Sequence, residues 1–312
     1  MGNRPEGFPF PFLFFTQMPY KHFVCLIIML QAFFAAGQDL SAATPATGWR
    51  TVYSPQDSAT VVRWLQLPVT GNDVLFFAGR LMGRPYVGGT LEGNDPERLV
   101  VNLGGLDCTT FVETVFALTL TKRQGSDKFS DFCRNLERLR YRGGKMDGYL
   151  SRLHYFTWWM RDNIRRGQIA PVADGKLCTA DMTVNNSYMS SHPEKYEMLR
   201  RHPEWVSAIA EMERQANGAD GKYLPEEATR LSRQQLGMIQ DGDLIAIVTK
   251  KDGLDYSHLG LAFWGKDGKL HMMHASTIYK KVVKDPTDLY TYLKRQKSAV
   301  GIRVFRLAVS GQ

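Results

Sequence analysis

Cys108 is the residue whose surroundings most suggest chemistry. It follows the glycine-rich loop Gly104-Gly105-Leu106-Asp107 and lies in residues 106–120 (LDCTTFVETVFALTL), whose spacing predicts a helix with Phe111, Val115 and Leu118 on one face. A helix amino terminus carries unpaired backbone N–H groups and a partial positive charge. Both favour thiolate over thiol, and the same N–H groups can hold a developing oxyanion. The position therefore offers an activated sulfur nucleophile and part of an oxyanion hole. Taken alone, a small buried cysteine beneath the helix is the plainer reading.

A sulfur nucleophile needs a base, and the base comes from elsewhere in the chain. Seven histidines are present. His154 lies on a helical stretch beside aromatic residues, and His192 and His202 lie in polar segments. His258, His271 and His274 fall together in a strand-like region. His258 opens residues 258–264 (HLGLAFW). Alternation puts Leu259, Leu261 and Phe263 on one face and His258, Gly260 and Ala262 on the other, where small residues leave room for a helix end or a substrate. The next turn selects the group that orients the imidazole. Lys266-Asp267-Gly268 suits a three-residue loop with its glycine left-handed. That loop pairs Gly265 with Lys269 and Gly260 with His274, and it sets Ser276 opposite His258. A two-residue turn at Asp267-Gly268 would bring His271 to this face instead. The first register is preferred, with His271 and Ser276 kept as alternatives to His274.

Helical spacing also marks residues 57–67, 72–82, 128–140 and 151–166, with shorter helices near 194–200 and 203–216. Residues 98–103 suggest a short strand. From Gly242 the pattern changes to strands at 243–249, 258–264, 269–275 and 300–307, interrupted by a helix at 287–294. Helices first and an antiparallel sheet later is the α+β arrangement. Tyr155, Phe156, Trp158 and Trp159 share one predicted helix. Core packing is favoured for them over stacking on a sugar.

The chain has 312 residues, 44% hydrophobic and 22% charged, which excludes a disordered chain, a collagen and a multi-span membrane protein. Four cysteines are too few for a disulfide scaffold, and none forms a C-x-x-C pair, so no metal is implied. Cys133 and Cys178 could pair outside the cytoplasm or remain two buried thiols. Residues 18–38 (MPYKHFVCLIIMLQAFFAAGQ) have a basic start, a short apolar middle and small residues at the end, the order of a secretory signal. The apolar run is short for a spanning helix, which needs about 20 residues. The expectation is a signal over residues 1–37, with Met18 as a candidate start, and one domain over 38–312. Cleavage there leaves a net charge of +7, suited to anionic wall polymers or acidic peptides, whereas an exported protein rarely meets nucleic acid.

Five short strings carry a resemblance. They are Gly83-Arg84-Pro85-Tyr86-Val87-Gly88-Gly89, Leu106-Asp107-Cys108-Thr109-Thr110, Asp241-Gly242-Asp243-Leu244, Ser257-His258-Leu259-Gly260 and His274-Ala275-Ser276. In this order they resemble the NlpC-type papain-like cell-wall cysteine hydrolases, whose pattern is G-x-P-Y-x-x-G-G, D-C-S-G, G-D-L, H-V-G and H-A-S. Two departures stand out. Asp107-Cys108-Thr109-Thr110 replaces D-C-S-G, and a long insertion, read as helical over about 126–240, separates Cys108 from His258. The strings YVGGTLE at 86–92, LVVNL at 99–103 and LDCTTFVE at 106–113, with RLHYFTWWMRDN at 152–163, look like the N-acetylmuramoyl-L-alanine amidase-like branch, known in secreted bacterial proteins. The resemblance implies a papain-like α+β core with Cys108 as nucleophile, His258 as base and His274 as orienting residue. Tyr86, Asp107, Thr109 and Ser257 would support substrate or oxyanion. It implies a peptidoglycan or muropeptide substrate, no cofactor, no span in the mature protein, and a periplasmic or secreted location. A γ-D-glutamyl stem-peptide endopeptidase and a non-catalytic wall-binding protein are the alternatives.

Overall fold

The computed structural model describes residues 51–308. The segment read as an export signal lies outside them. Among the described residues no helix is long and apolar enough to cross a membrane.

The chain runs β1 (Thr51–Val52), α1 (Pro55–Gln66), α2 (Asp73–Arg80), β2 (Leu99–Val100), α3 (Cys108–Arg123), α4 (Phe129–Arg140), α5 (Phe156–Arg165), β3 (Ile169–Val172) and β4 (Ala180–Val184). It continues with α6 (Tyr188–Ser191), α7 (Glu197–Arg201), α8 (Val206–Ala216), β5 (Gly218–Pro225), β6 (Leu244–Thr249), β7 (Tyr256–Trp264), β8 (Leu270–Ser276), β9 (Lys281–Lys284), α9 (Leu289–Lys294) and β10 (Ala299–Leu307). Eight strands form one sheet in the order β4-β5-β10-β6-β7-β8-β9, with β3 also on β10. Every pairing in it is antiparallel. The α+β expectation holds.

β6 and β8 are buried at every position, because the sheet is covered on both faces. Leu259, Leu261, Met273 and Ala275 join the core that holds α3, while Ile245, Ile247, Ala262 and Met272 pack with Leu289 and Leu293 of α9. α3 departs from the one-faced helix expected of it. It is buried continuously from Thr110 to Thr121, because α1, α2 and α4 enclose the side away from the sheet. Its polar groups are satisfied internally. Thr119 and Thr121 donate their hydroxyls to the carbonyls of Val115 and Ala117 at 2.8 and 2.7 Å. Glu113 takes Arg140 Nε of α4 at 2.7 Å, and the same guanidinium donates to Val100 O at 2.7 Å.

Residues 126–240 are not purely helical. They carry α4 to α8 and also β3, β4 and β5, which extend the main sheet. β5 is mostly solvent-facing, so the alternation that marks a half-buried strand is missing there. Tyr155, Trp158 and Trp159 are buried core residues, with Phe156 stacked on Trp159. Cys133 and Cys178 are free thiols. They pack into the two separate cores on opposite faces of the sheet, so the possible bridge does not form.

Candidate active site

The loop before Cys108 is held from both sides. Asn102 Oδ1 accepts the N–H groups of Gly104 and Gly105 at 2.8 and 3.1 Å, folding the turn. Leu106 N donates to Pro85 O, and Val87 N donates to Leu106 O. The same 83–87 segment pairs on its other edge with β9, through Gly83 N to Val282 O, Val282 N to Arg84 O and Tyr86 N to Lys280 O. The Gly-Arg-Pro-Tyr string thus ties the cysteine loop to the edge of the sheet, with Tyr86 half-buried against the core.

Asp107 caps α3. Its carboxylate accepts Thr110 N at 2.8 Å, and Thr110 Oγ1 accepts Asp107 N at 2.9 Å, a reciprocal capping box. Asp107→Ala is expected to lower stability by about 1–2 kcal/mol, read as a shifted urea midpoint with unchanged slope. A loss below about 0.3 kcal/mol would show that the tertiary contacts of the loop replace the cap.

Cys108 is half-buried, on the first turn of α3. Its thiol is not pre-ionised as the helix end alone suggested. Burial pushes it up to about 12, and the nearby Asp107 charge adds to this. The Leu259 N–H, the Thr109 hydroxyl and the cysteine's own N–H favour thiolate but offset burial only in part. Leu259 relates helix to sheet. The β7–β8 ladder runs from Leu261–Met273 to Trp264–Leu270, and Leu259, whose backbone N–H favours thiolate at Cys108, lies just past its end.

His258 follows Leu259's neighbourhood into a second set of contacts. The turn takes the three-residue form, with Gly265 N donating to Lys269 O and Gly268 at φ +73°. This brings His274 to His258, with His258 Nε2 and His274 Nδ1 2.5 Å apart. Opposite, Ile247 pairs with His258 and Val248 with Tyr256, so the half-buried Ser257 is a bulge directly beside the histidine. His271 does not share this face. It pairs with Phe263 and sits against Asp267 at 3.0 Å. Ser276 Oγ accepts Tyr279 N, holding the β8–β9 turn. The small-residue face beside His258 is filled by strand β8 rather than by a helix end. A Cβ on Gly260 would lie 2.2 Å from Met272 Cγ and 3.1 Å from His274 Cβ.

Burial, with the His274 imidazole beside it as a lesser cause, holds His258 well below the usual imidazole value of 6.5. The ring is therefore neutral at neutral pH, and its Nδ1 is buried with no hydrogen-bond partner. Two further residues complete the cluster, and neither belongs to the five sequence strings. Asp285 Oδ2 lies 3.1 Å from His274 Nε2. Tyr292 of α9 covers both imidazoles, with ring centroids 6.3 Å from His258 and 5.6 Å from His274. Finding Asp285 requires recognising β9. Asp285 N donates to Met272 O, which carries the β8–β9 pairing one step further and places Asp285 diagonal to His274.

The site lies on a fold built around one buried helix and one antiparallel sheet. Residues 77–302 match the family model for AmiA-like, N-acetylmuramoyl-L-alanine amidase-like proteins, and the chain belongs to that family. The match includes Cys108, His258, His274 and Asp285. Among solved structures, an N-acetylmuramoyl-L-alanine amidase from Bacteroides uniformis is 42% identical, with a TM-score of 0.71 over 76% of this chain and 100% of that one. A Bacteroides fragilis protein, provisionally named a xylanase, is 42% identical, with a TM-score of 0.69 over 74% of this chain and 99% of that one. A Legionella pneumophila protein at 21% identity and a TM-score of 0.64, over 81% and 95%, shares the fold. Among curated proteins none matches the chain.

Proposed function

We propose that this protein is a cysteine amidase on a papain-like, NlpC-type core that hydrolyses the amide between the muramic acid lactyl group and L-alanine in peptidoglycan fragments. One observation carries the mechanistic part. A neutral imidazole, His258, is hydrogen-bonded to a second, His274, and the residue after His258 on the same strand, Leu259, has a backbone N–H that favours thiolate at Cys108. The family, and the relative named as an amidase, support the substrate class.

The mechanism starts from a neutral thiol and a neutral imidazole. As the sulfur attacks the lactyl carbonyl, its proton passes to His258 Nδ1, and His274 accepts from His258 Nε2 and steadies the imidazolium. The first N–H groups of α3, with Thr109 beside the sulfur, face the growing oxyanion. His258 returns the proton to the L-alanine nitrogen, and the peptide leaves. Water, deprotonated by His258, then cleaves the thioester and frees the muramic carboxylate. Ser257 acts through its bulge, which sets the direction of His258. Asp107 acts through the cap that fixes the helix end.

The proposed xylanase chemistry of the Bacteroides fragilis relative needs two carboxylates flanking the bond. Two carboxylates at the site are already engaged, Asp285 by His274 and Asp107 by Thr110. Residues 1–37, if removed on export, would deliver the enzyme to the wall.

The pH dependence follows from the two neutral groups. kcat/KM is expected to stay flat through neutrality. It falls on the acid side only well below 6.5, where His258 gains its proton, while the thiol at about 12 sets no limb near neutrality. An acid limb at or above 6.5 would mean that the base is a solvated imidazole and not His258. The function itself is tested by incubating the protein with defined muropeptides and identifying products by mass spectrometry. Stem peptide with a free L-alanine amine, together with the intact muramic sugar, is expected. Cleavage after D-glutamate would move the protein to the endopeptidases.

A further inference from the structure

We infer that Asp285 is a positioning residue that sets the tautomers of both histidines, and so decides which nitrogen of His258 can act as a base. The inference rests on the cysteine amidase reading for its consequence, but not for its geometry.

Three contacts fix the chain of protons. Asp285 Oδ1 accepts Thr287 N at 2.9 Å, and Oδ2 lies 3.1 Å from His274 Nε2. Although burial raises the Asp285 carboxyl, hydrogen bonds from His274 and Thr287 outweigh it and keep the group ionised. An ionised carboxylate only accepts, so His274 carries its proton on Nε2. Its Nδ1 then holds a lone pair and must accept across the 2.5 Å contact with His258. His258 therefore carries its proton on Nε2, which leaves the lone pair on Nδ1. That is the nitrogen buried without a protein partner. The arrangement is rigid at each point. His271 Nδ1 holds Asp285 O at 3.1 Å, Tyr292 packs over both rings, and Asp285 is only 3% exposed.

Asp285→Asn is the informative change because its orientation is forced. Thr287 N–H requires an acceptor, so the amide oxygen takes the Oδ1 position and the amide NH2 faces His274 Nε2. That NH2 donates, and His274 must move its proton to Nδ1. His274 then donates to His258 Nε2, and the His258 proton moves to Nδ1. The lone pair is lost from the nitrogen that would take the thiol proton, with the packing otherwise unchanged.

The test uses the full protein and needs no substrate. Histidine tautomers are read by long-range proton–nitrogen NMR on ¹⁵N-labelled protein. Cys108 is alkylated with iodoacetamide across pH, a reaction in which sulfur bonds to the methylene carbon, iodide leaves and the thiol proton goes to His258. In the wild type, both rings are expected to be protonated on Nε2. In Asp285→Asn, His274 shifts to the Nδ1 form. Alkylation at pH 7 drops by roughly 10²-fold or more, and its profile moves toward the pH at which the thiol ionises unaided. Asp285→Glu, which restores an acceptor, recovers part of the rate. A wild-type His258 protonated on Nδ1 overturns the inference even if no variant folds. An Asp285→Asn protein with unchanged tautomers and an unchanged alkylation profile also overturns it. Muropeptides left uncut, with the tautomers as stated, would remove the amidase reading and leave the role of Asp285 intact.

Discussion

Cys108→Ala is expected to reduce release of stem peptide by roughly 10⁶-fold in kcat, the scale on which removing the nucleophile of a catalytic triad acts. The reason is specific to this site. Without sulfur there is no nucleophile to open the amide and no acyl-enzyme for water to hydrolyse. The substrate contacts remain, so KM should move by less than about threefold while kcat collapses. The fold should survive, because Cys108 is half-buried and the cap at Asp107 and Thr110 does not use its side chain. The comparison is made with purified muropeptide at matched protein concentration, and circular dichroism confirms the fold. Retention of more than about a hundredth of the wild-type rate would mean that the chemistry is done elsewhere.

The second large effect is on stability. Arg140→Ala is expected to cost about 3–5 kcal/mol, because it leaves Glu113 buried and unpaired and takes a donor from Val100 O. Burial already drives the Glu113 carboxyl upward against the pull of Arg140, so in the variant it takes a proton rather than stay charged, which limits the loss. Glu113→Leu combined with Arg140→Met should recover part of the deficit, since an apolar replacement of both partners avoids the stranded charge. Urea denaturation of the two variants measures both quantities. A cost below about 1 kcal/mol for Arg140→Ala would show that the ion pair is not part of the cooperative core.

What could be read from sequence was what local physics controls. The glycine turn Lys266-Asp267-Gly268 dictated the β7–β8 register, and that register placed His274 beside His258. The helical spacing of residues 106–120 located α3 to within two residues of its observed start at Cys108. What depends on distant packing was not readable. The state of the Cys108 thiol is governed by how much structure closes over it, and the helix end, the one visible influence, turned out to be the weaker. Asp285 sits after a four-residue edge strand flanked by lysines, a stretch too short for periodicity to expose. Tyr292 reaches the site from a helix whose apolar residues read as ordinary core. β3 and β5 are mostly exposed and lack the alternation that burial imposes, while β4 alternates over only five residues, Ala180–Val184, too few to stand out.

The most direct test of the cysteine amidase account is to catch the enzyme during turnover. Wild-type protein is mixed with excess muropeptide, quenched in acid within the first turnovers, digested, and the peptide containing Cys108 is weighed. The account predicts a thioester bearing the N-acetylmuramoyl group, because cleavage at the lactyl–alanine amide leaves the sugar side on sulfur. A thioester bearing a stem-peptide acyl group would assign a different bond. Turnover with Cys108 unmodified, continuing undiminished in Cys108→Ala, would contradict the account outright.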